Sequence, residues 1–118
     1  MATTSNRTVS ISFSGDLVSN LSFAAAANST SPGSITIFTL SAGNNTITLP
    51  TGGSAVKSAT IIPPTGNTQT LTLKGVNGDT GIALHKLDPT VVSFDTTPPA
   101  NFVLNAGGTI TGLRVVWA

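Results

Sequence analysis

Apolar and polar residues alternate with a period of two from one end of this chain to the other. In an extended strand that pattern turns one face inward and the other outward, whereas around a helix it would scatter the apolar residues on all sides. The first segment shows it plainly, with Val9, Ile11 and Phe13 on one side and Ser10 and Ser12 on the other. Strands are expected at Thr8 to Phe13, Leu17 to Ala27, Ile35 to Leu40, Thr46 to Leu49, Ala55 to Ile62, Thr68 to Lys74, Ile82 to His85, Thr90 to Asp95, Asn101 to Leu104 and Thr109 to Trp117. Turn-forming stretches separate them, among them Pro63-Pro64-Thr65-Gly66-Asn67 and Gly75 to Gly81. About eight to ten short strands at such spacing point to an all-β fold, an antiparallel β-sandwich of the jelly-roll kind. One domain is expected over 8–118, preceded by a flexible N-terminal arm over 1–7 that could cross onto a neighbour.

Three local features refine this expectation. Apolar parity shifts between Ile37 and Phe38, which predicts a bulge, since one extra residue reverses the facing of all that follow. Ala24 to Ala27 could form a helical turn, but Asn20, Ser22 and the following Asn28-Ser29-Thr30-Ser31-Pro32-Gly33 leave no room for several, so Leu17 to Ala27 reads as strand. Phe38-x-Leu40-x-Ala42-Gly43-x-Asn45-Thr46-Ile47 also matches Phe102-x-Leu104-x-Ala106-Gly107-Gly108-Thr109-Ile110, less one turn residue. Two copies of one hairpin would suit a fold of two similar halves.

Charge excludes several functions. Only 8% of residues are charged, against roughly 25% in ordinary domains, and the balance is +1. The chain instead carries 20 Thr and 13 Ser, and has no Cys, Glu or Tyr. Arg7, Lys57, Lys74, Lys86 and Arg114 are scattered singly, so the clustered cations that neutralise phosphates are missing and no nucleic-acid partner is expected. The start Met-Ala-Thr-Thr-Ser-Asn-Arg has no apolar core behind a basic region, and no run approaches a membrane span. Neither a signal peptide nor a membrane partner is expected, and without cysteine there is no disulfide framework or thiolate metal site.

Candidate chemistry collects in two turn segments. His85, with Lys86 and Asp88 beside it, invites a Ser-His-Asp reading, but no G-x-S-x-G elbow accompanies it. Gly78-Asp79-Thr80-Gly81 contains the Asp-Thr-Gly triplet of aspartic proteases, yet Asn77 and Gly78 stand where that chemistry needs an apolar strand end. A glycine-rich turn with Asp79 accepting from backbone amides accounts for it better. Asn77 and Asp79 are also the residues a calcium loop would use, but four separated aspartates and one histidine form no ligand cluster. No enzyme, metal or cofactor is therefore expected. Asn77, Asp79, Thr80, His85, Lys86 and Asp88 remain as candidate interaction-loop residues. Trp117 and the phenylalanines fall in apolar phase and read as core.

A β domain with so little charge lacks one of the main defences against edge pairing, and one remedy is burial in a permanent assembly. The stretch FTLSAGNNTITLPTG, then SATIIPPTGNTQTLTLKGVNGDTGIALHKLDPTVVSFD and the closing FVLNAGGTITGLRVVWA, resembles small virion proteins of tailed bacteriophages, of the minor tail or capsid decoration class. The resemblance runs from about Ile35 to Ala118 and is most specific at Leu73 to Gly81. It implies a structural protein made in the host cytoplasm and carried in the virion. There it would form a ring or trimer with itself and dock on other virion structural proteins of head or tail. A module binding a host surface glycan or receptor is the alternative. No catalytic or ligand residues are implied.

Overall fold

The computed structural model describes residues 3–12, 20–25, 27–31, 33–50 and 56–118. Phe13, Leu17 and Ala55, expected at strand ends, lie outside them. The described chain is all-β and antiparallel throughout. Its elements are β1 (Thr3–Ser5), β2 (Thr8–Ser12), β3 (Asn20–Ala24), β4 (Asn28–Ser31), β5 (Ser34–Leu40), β6 (Gly43–Thr48), β7 (Ser58–Ile62), β8 (Leu71–Lys74), β9 (Ile82–Leu84), β10 (Thr90–Ser93), β11 (Asn101–Ala106) and β12 (Ile110–Trp117).

Eight of these build the body. One sheet has the order β10-β7-β12-β5 and the other β6-β11-β8-β9. The pairings are nested, β5 with β12, β6 with β11, β7 with β10 and β8 with β9. The chain from β5 onward is thus a doubled ribbon rolled into two facing sheets, which is the jelly roll. β12 with β7 and β11 with β8 close each sheet. The remaining strands form two small sheets, β1 with β4 and β2 with β3.

Alternation works as the core-forming device. On β11, Phe102, Leu104 and Ala106 point between the sheets, as do Leu113, Val115 and Trp117 of β12, and Leu40, Ile47, Ile61 and Leu71 complete the buried cluster. Trp117 sits in it with its ring centroid 6.1 Å from that of Phe102, and its Nε1 donates to Thr36 Oγ1 at 2.9 Å. The buried indole N–H therefore has a partner, which an apolar core would otherwise deny it.

The matched Phe-x-Leu-x-Ala-Gly segments are not hairpins. β5 and β6 lie in different sheets, and so do β11 and β12, so each segment is a corner that carries the chain across the sandwich. The corners run side by side in opposite directions, with Leu40 opposite Ile110 and Gly43 opposite Ala106. Asn45 pins the first. Its Nδ2 donates to the carbonyls of Ser41, Gly43 and Leu104 at 2.9, 3.0 and 3.2 Å, and its Oδ1 accepts from the Ser41 amide at 3.0 Å.

The expected bulge falls on the other strand. β5 alternates without interruption, and its apolar parity shifts because Ile35 and Ile37 face outward while Phe38 and Leu40 face inward. The extra residue is Gly112 of β12, between Thr111 opposite Thr39 and Leu113 opposite Phe38. Its φ of +84° is one that glycine adopts without steric cost. Two further differences concern the N-terminal region. Asn28–Ser31, where no strand is expected from the sequence, is β4, and Thr3–Ser5, within the segment read as an arm, is β1 paired with it.

Asn45→Ala is expected to remove about 2 kcal/mol of stability, because several backbone groups at the corner lose their partner at about 1 kcal/mol each. Thermal unfolding checks this, and an unchanged midpoint would contradict the role given to Asn45.

Candidate functional site

The six candidate loop residues do not form one site. Asn77, Asp79 and Thr80 lie in the β8–β9 turn and His85, Lys86 and Asp88 in the β9–β10 connection, at opposite ends of β9. That strand has three residues, which at about 3.3 Å each separates the groups by roughly 10 Å.

Each group is engaged with its own backbone. Asp79 Oδ2 accepts from the amides of Gly75 and Val76, both at 3.0 Å, and the Asp79 amide donates to the Val76 carbonyl at 3.1 Å. The carboxylate is a turn cap. Gly81 closes the same turn at φ +79°, where a Cβ would lie 2.6 Å from the Leu73 carbonyl oxygen. Only glycine fits there. At the other end, His85 Nδ1 accepts from the amides of Leu87 at 3.1 Å and Asp88 at 2.9 Å, so the imidazole holds its own loop. Asp88 Oδ2 is 3.7 Å from the same nitrogen, and both side chains are solvent-exposed. Lys86 contributes its carbonyl, which accepts from Asn67 Nδ2 at 2.9 Å. Among the described residues no group of three or more His, Cys, Asp or Glu side chains could hold a metal ion.

A polar network covers the outward face of the second sheet. Asn44 Oδ1 accepts from Asn105 Nδ2 at 2.8 Å and from Lys74 Nζ at 3.2 Å, while Asn44 Nδ2 donates to the Asn77 carbonyl at 3.3 Å. These bonds join β6, β8 and β11 to the β8–β9 turn.

The apolar surfaces were missed by sequence reasoning. A cleft of about 460 Å³ opens where the sheets part between the short edge strands β9 and β10. Leu73, Ile82, Val92, Phe94 and Phe102 line it, together with Lys74 and Asp79. Its walls offer contact to an apolar group. The second surface is the outward face of the β10-β7-β12-β5 sheet, where the register sets Ile35, Val116, Thr60 and Val91 in one row and Ile37, Arg114 and Ile62 in the next. Ile35 is 62% exposed, Ile37 69% and Val91 53%. On the β2–β3 hairpin Val9 pairs with Phe23, and Phe23, read as core, is 62% exposed. The only sequence signal for the outward isoleucines was the parity shift at Ile37 and Phe38, which has a second cause besides a bulge.

Among the described residues no helix is long and apolar enough to cross a membrane. No family model, no curated protein and no solved structure matches this chain.

Asp79→Ala is expected to speed hydrogen exchange at the Gly75 and Val76 amides while the β11 and β12 amides stay protected, because the cap serves its own turn. Slowed or unchanged exchange at those two amides would contradict the cap.

Proposed function

We propose that the chain is a non-enzymatic structural subunit of a tailed-phage virion, one that docks on the capsid or tail and stabilises it through contact area. The observation that carries this reading is the outward apolar face holding Ile35, Ile37 and Val91. Single exposed apolar residues are ordinary, but Ile35 and Ile37 adjoin on one face of β5 and, with Val91 on the opposite edge strand, give this sheet an outward apolar character that gains from being covered. Covering such a face removes apolar area from water at about 25 cal/mol per Å², less the cost of ordering the partners. The 8% charged fraction supports the same reading, since Thr, Ser and Asn can enter an interface without the desolvation penalty of ions. Jelly rolls recur in viral capsid domains, a likeness of fold that assigns no function by itself.

The alternative, a receptor- or glycan-binding module, would draw on the two loops flanking β9. No observation favours it, since Asp79 and His85 are engaged by their own turns and stand apart.

Particles lacking the protein are expected to rupture at a lower temperature than complete ones, and added purified protein is expected to restore the difference. Assembly, rupture temperature and infectivity all unchanged by its loss would overturn the reading.

A further inference from the structure

We propose that β5 is the self-association edge, pairing antiparallel with β5 of a second copy across a two-fold axis and extending the β10-β7-β12-β5 sheet into one of eight strands. This rests on the reading of the chain as an assembling subunit and adds which element makes the contact between copies.

Among the described residues β5 has one neighbour, β12, so the other side of this strand presents a row of backbone donors and acceptors. Such a row is a template for another strand unless something blocks it. The other three edges of the two large sheets are blocked in different ways. β9 has three residues. β10 has four, and lies between Asp88-Pro89 and Asp95. β6 begins at Gly43 with φ +99° and is followed by Pro50, which ends pairing. β5 is preceded by Pro32 and by Gly33 at φ +56°, but carries no such device within its own length. Its seven residues, Ser-Ile-Thr-Ile-Phe-Thr-Leu, include no charge, proline or glycine and alternate regularly.

A second copy fits this edge for two reasons. A two-fold axis makes identical strands antiparallel, which is the pairing every other strand of the sheet already uses. It also brings Ile35 and Ile37 of both copies together on one face as cross-strand neighbours, covering side chains that are otherwise more than half exposed. Charge does not oppose it. The nearest cation on that face is Arg114, one strand in from the edge beside Ile37. Its counterpart would be three strand spacings away, about 14 Å, which exceeds the screening length of about 8 Å at physiological salt.

Hydrogen exchange on the purified chain tests this, with Ile37→Lys placing a charge on the edge and Val76→Lys placing one on the distant β8–β9 turn. Both positions are exposed, so neither change touches the core. In wild type and Val76→Lys, the β5 amides directed away from β12 are expected to exchange about tenfold or more slowly than in Ile37→Lys. The β5 amides bonded to β12 serve as the internal control and are expected to stay protected in all three. Equal rates for the outward amides in all three proteins would overturn the proposal. A wild-type dimer whose outward β5 amides exchange at the variant's rate would overturn it as well, by placing the contact elsewhere. The experiment uses no virion, so its failure and the failure of the virion role are separate results.

Discussion

Burial of alternate residues between two facing sheets is the constraint on which the rest of the structure depends. Leu104, Leu113, Val115 and Ile61 are fully enclosed because the chain crosses from one sheet to the other between β11 and β12, and because β7, β11 and β12 each have a neighbour on both sides. One neighbour of each strand comes from the nested pairing of the ribbon, and β12 with β7 and β11 with β8 add the second where the ribbon rolls up. The corners at Ala42-Gly43 and Ala106-Gly107 are where the ribbon folds over, and the hydrogen bonds of Asn45 hold one of them against β11. The bulge at Gly112 belongs to the same requirement, since it returns Leu113, Val115 and Trp117 to the inward side after Ile110.

That constraint also accounts for what could be read along the chain and what could not. Period-two alternation reflects the difference between inside and outside, so strands such as Thr8–Ser12 and Ile110–Trp117 were legible to within a residue or two. Partner choice leaves no such local mark. Thr46 to Leu49 looked like the return strand of a hairpin with Ile35 to Leu40, because a short Gly-Asn turn is as suited to a crossing corner as to a hairpin. β4 was illegible because Asn28-Ser29-Thr30-Ser31 has no apolar side, and its pairing with Thr3–Ser5 comes from chain placement. The parity shift at Ile37 and Phe38 was visible, yet alternation cannot separate an inserted residue from an apolar residue that faces out.

The candidate loop residues illustrate the same limit. Asp79 and His85 were noticed for their chemistry, and both are engaged by backbone amides of the turns they occupy. The expectation that Asp79 caps its turn came from local residue types and is met. The apolar cleft and the outward isoleucines arise from which strands become edges, a property of the whole ribbon. Asp79, His85 and Asn45 bond the backbone of their own turns and corners, while Ile35, Ile37 and Val91 face outward on one sheet.

The central claim is that this neutral, partly apolar exterior is a surface to be covered. Sedimentation equilibrium of the purified wild-type chain in physiological salt tests it most directly, since apolar burial survives screening where surface ion pairs do not. The account requires a mass at least twice the 11.8 kDa of a single chain. A single species of 11.8 kDa persisting at the highest attainable concentration would contradict it.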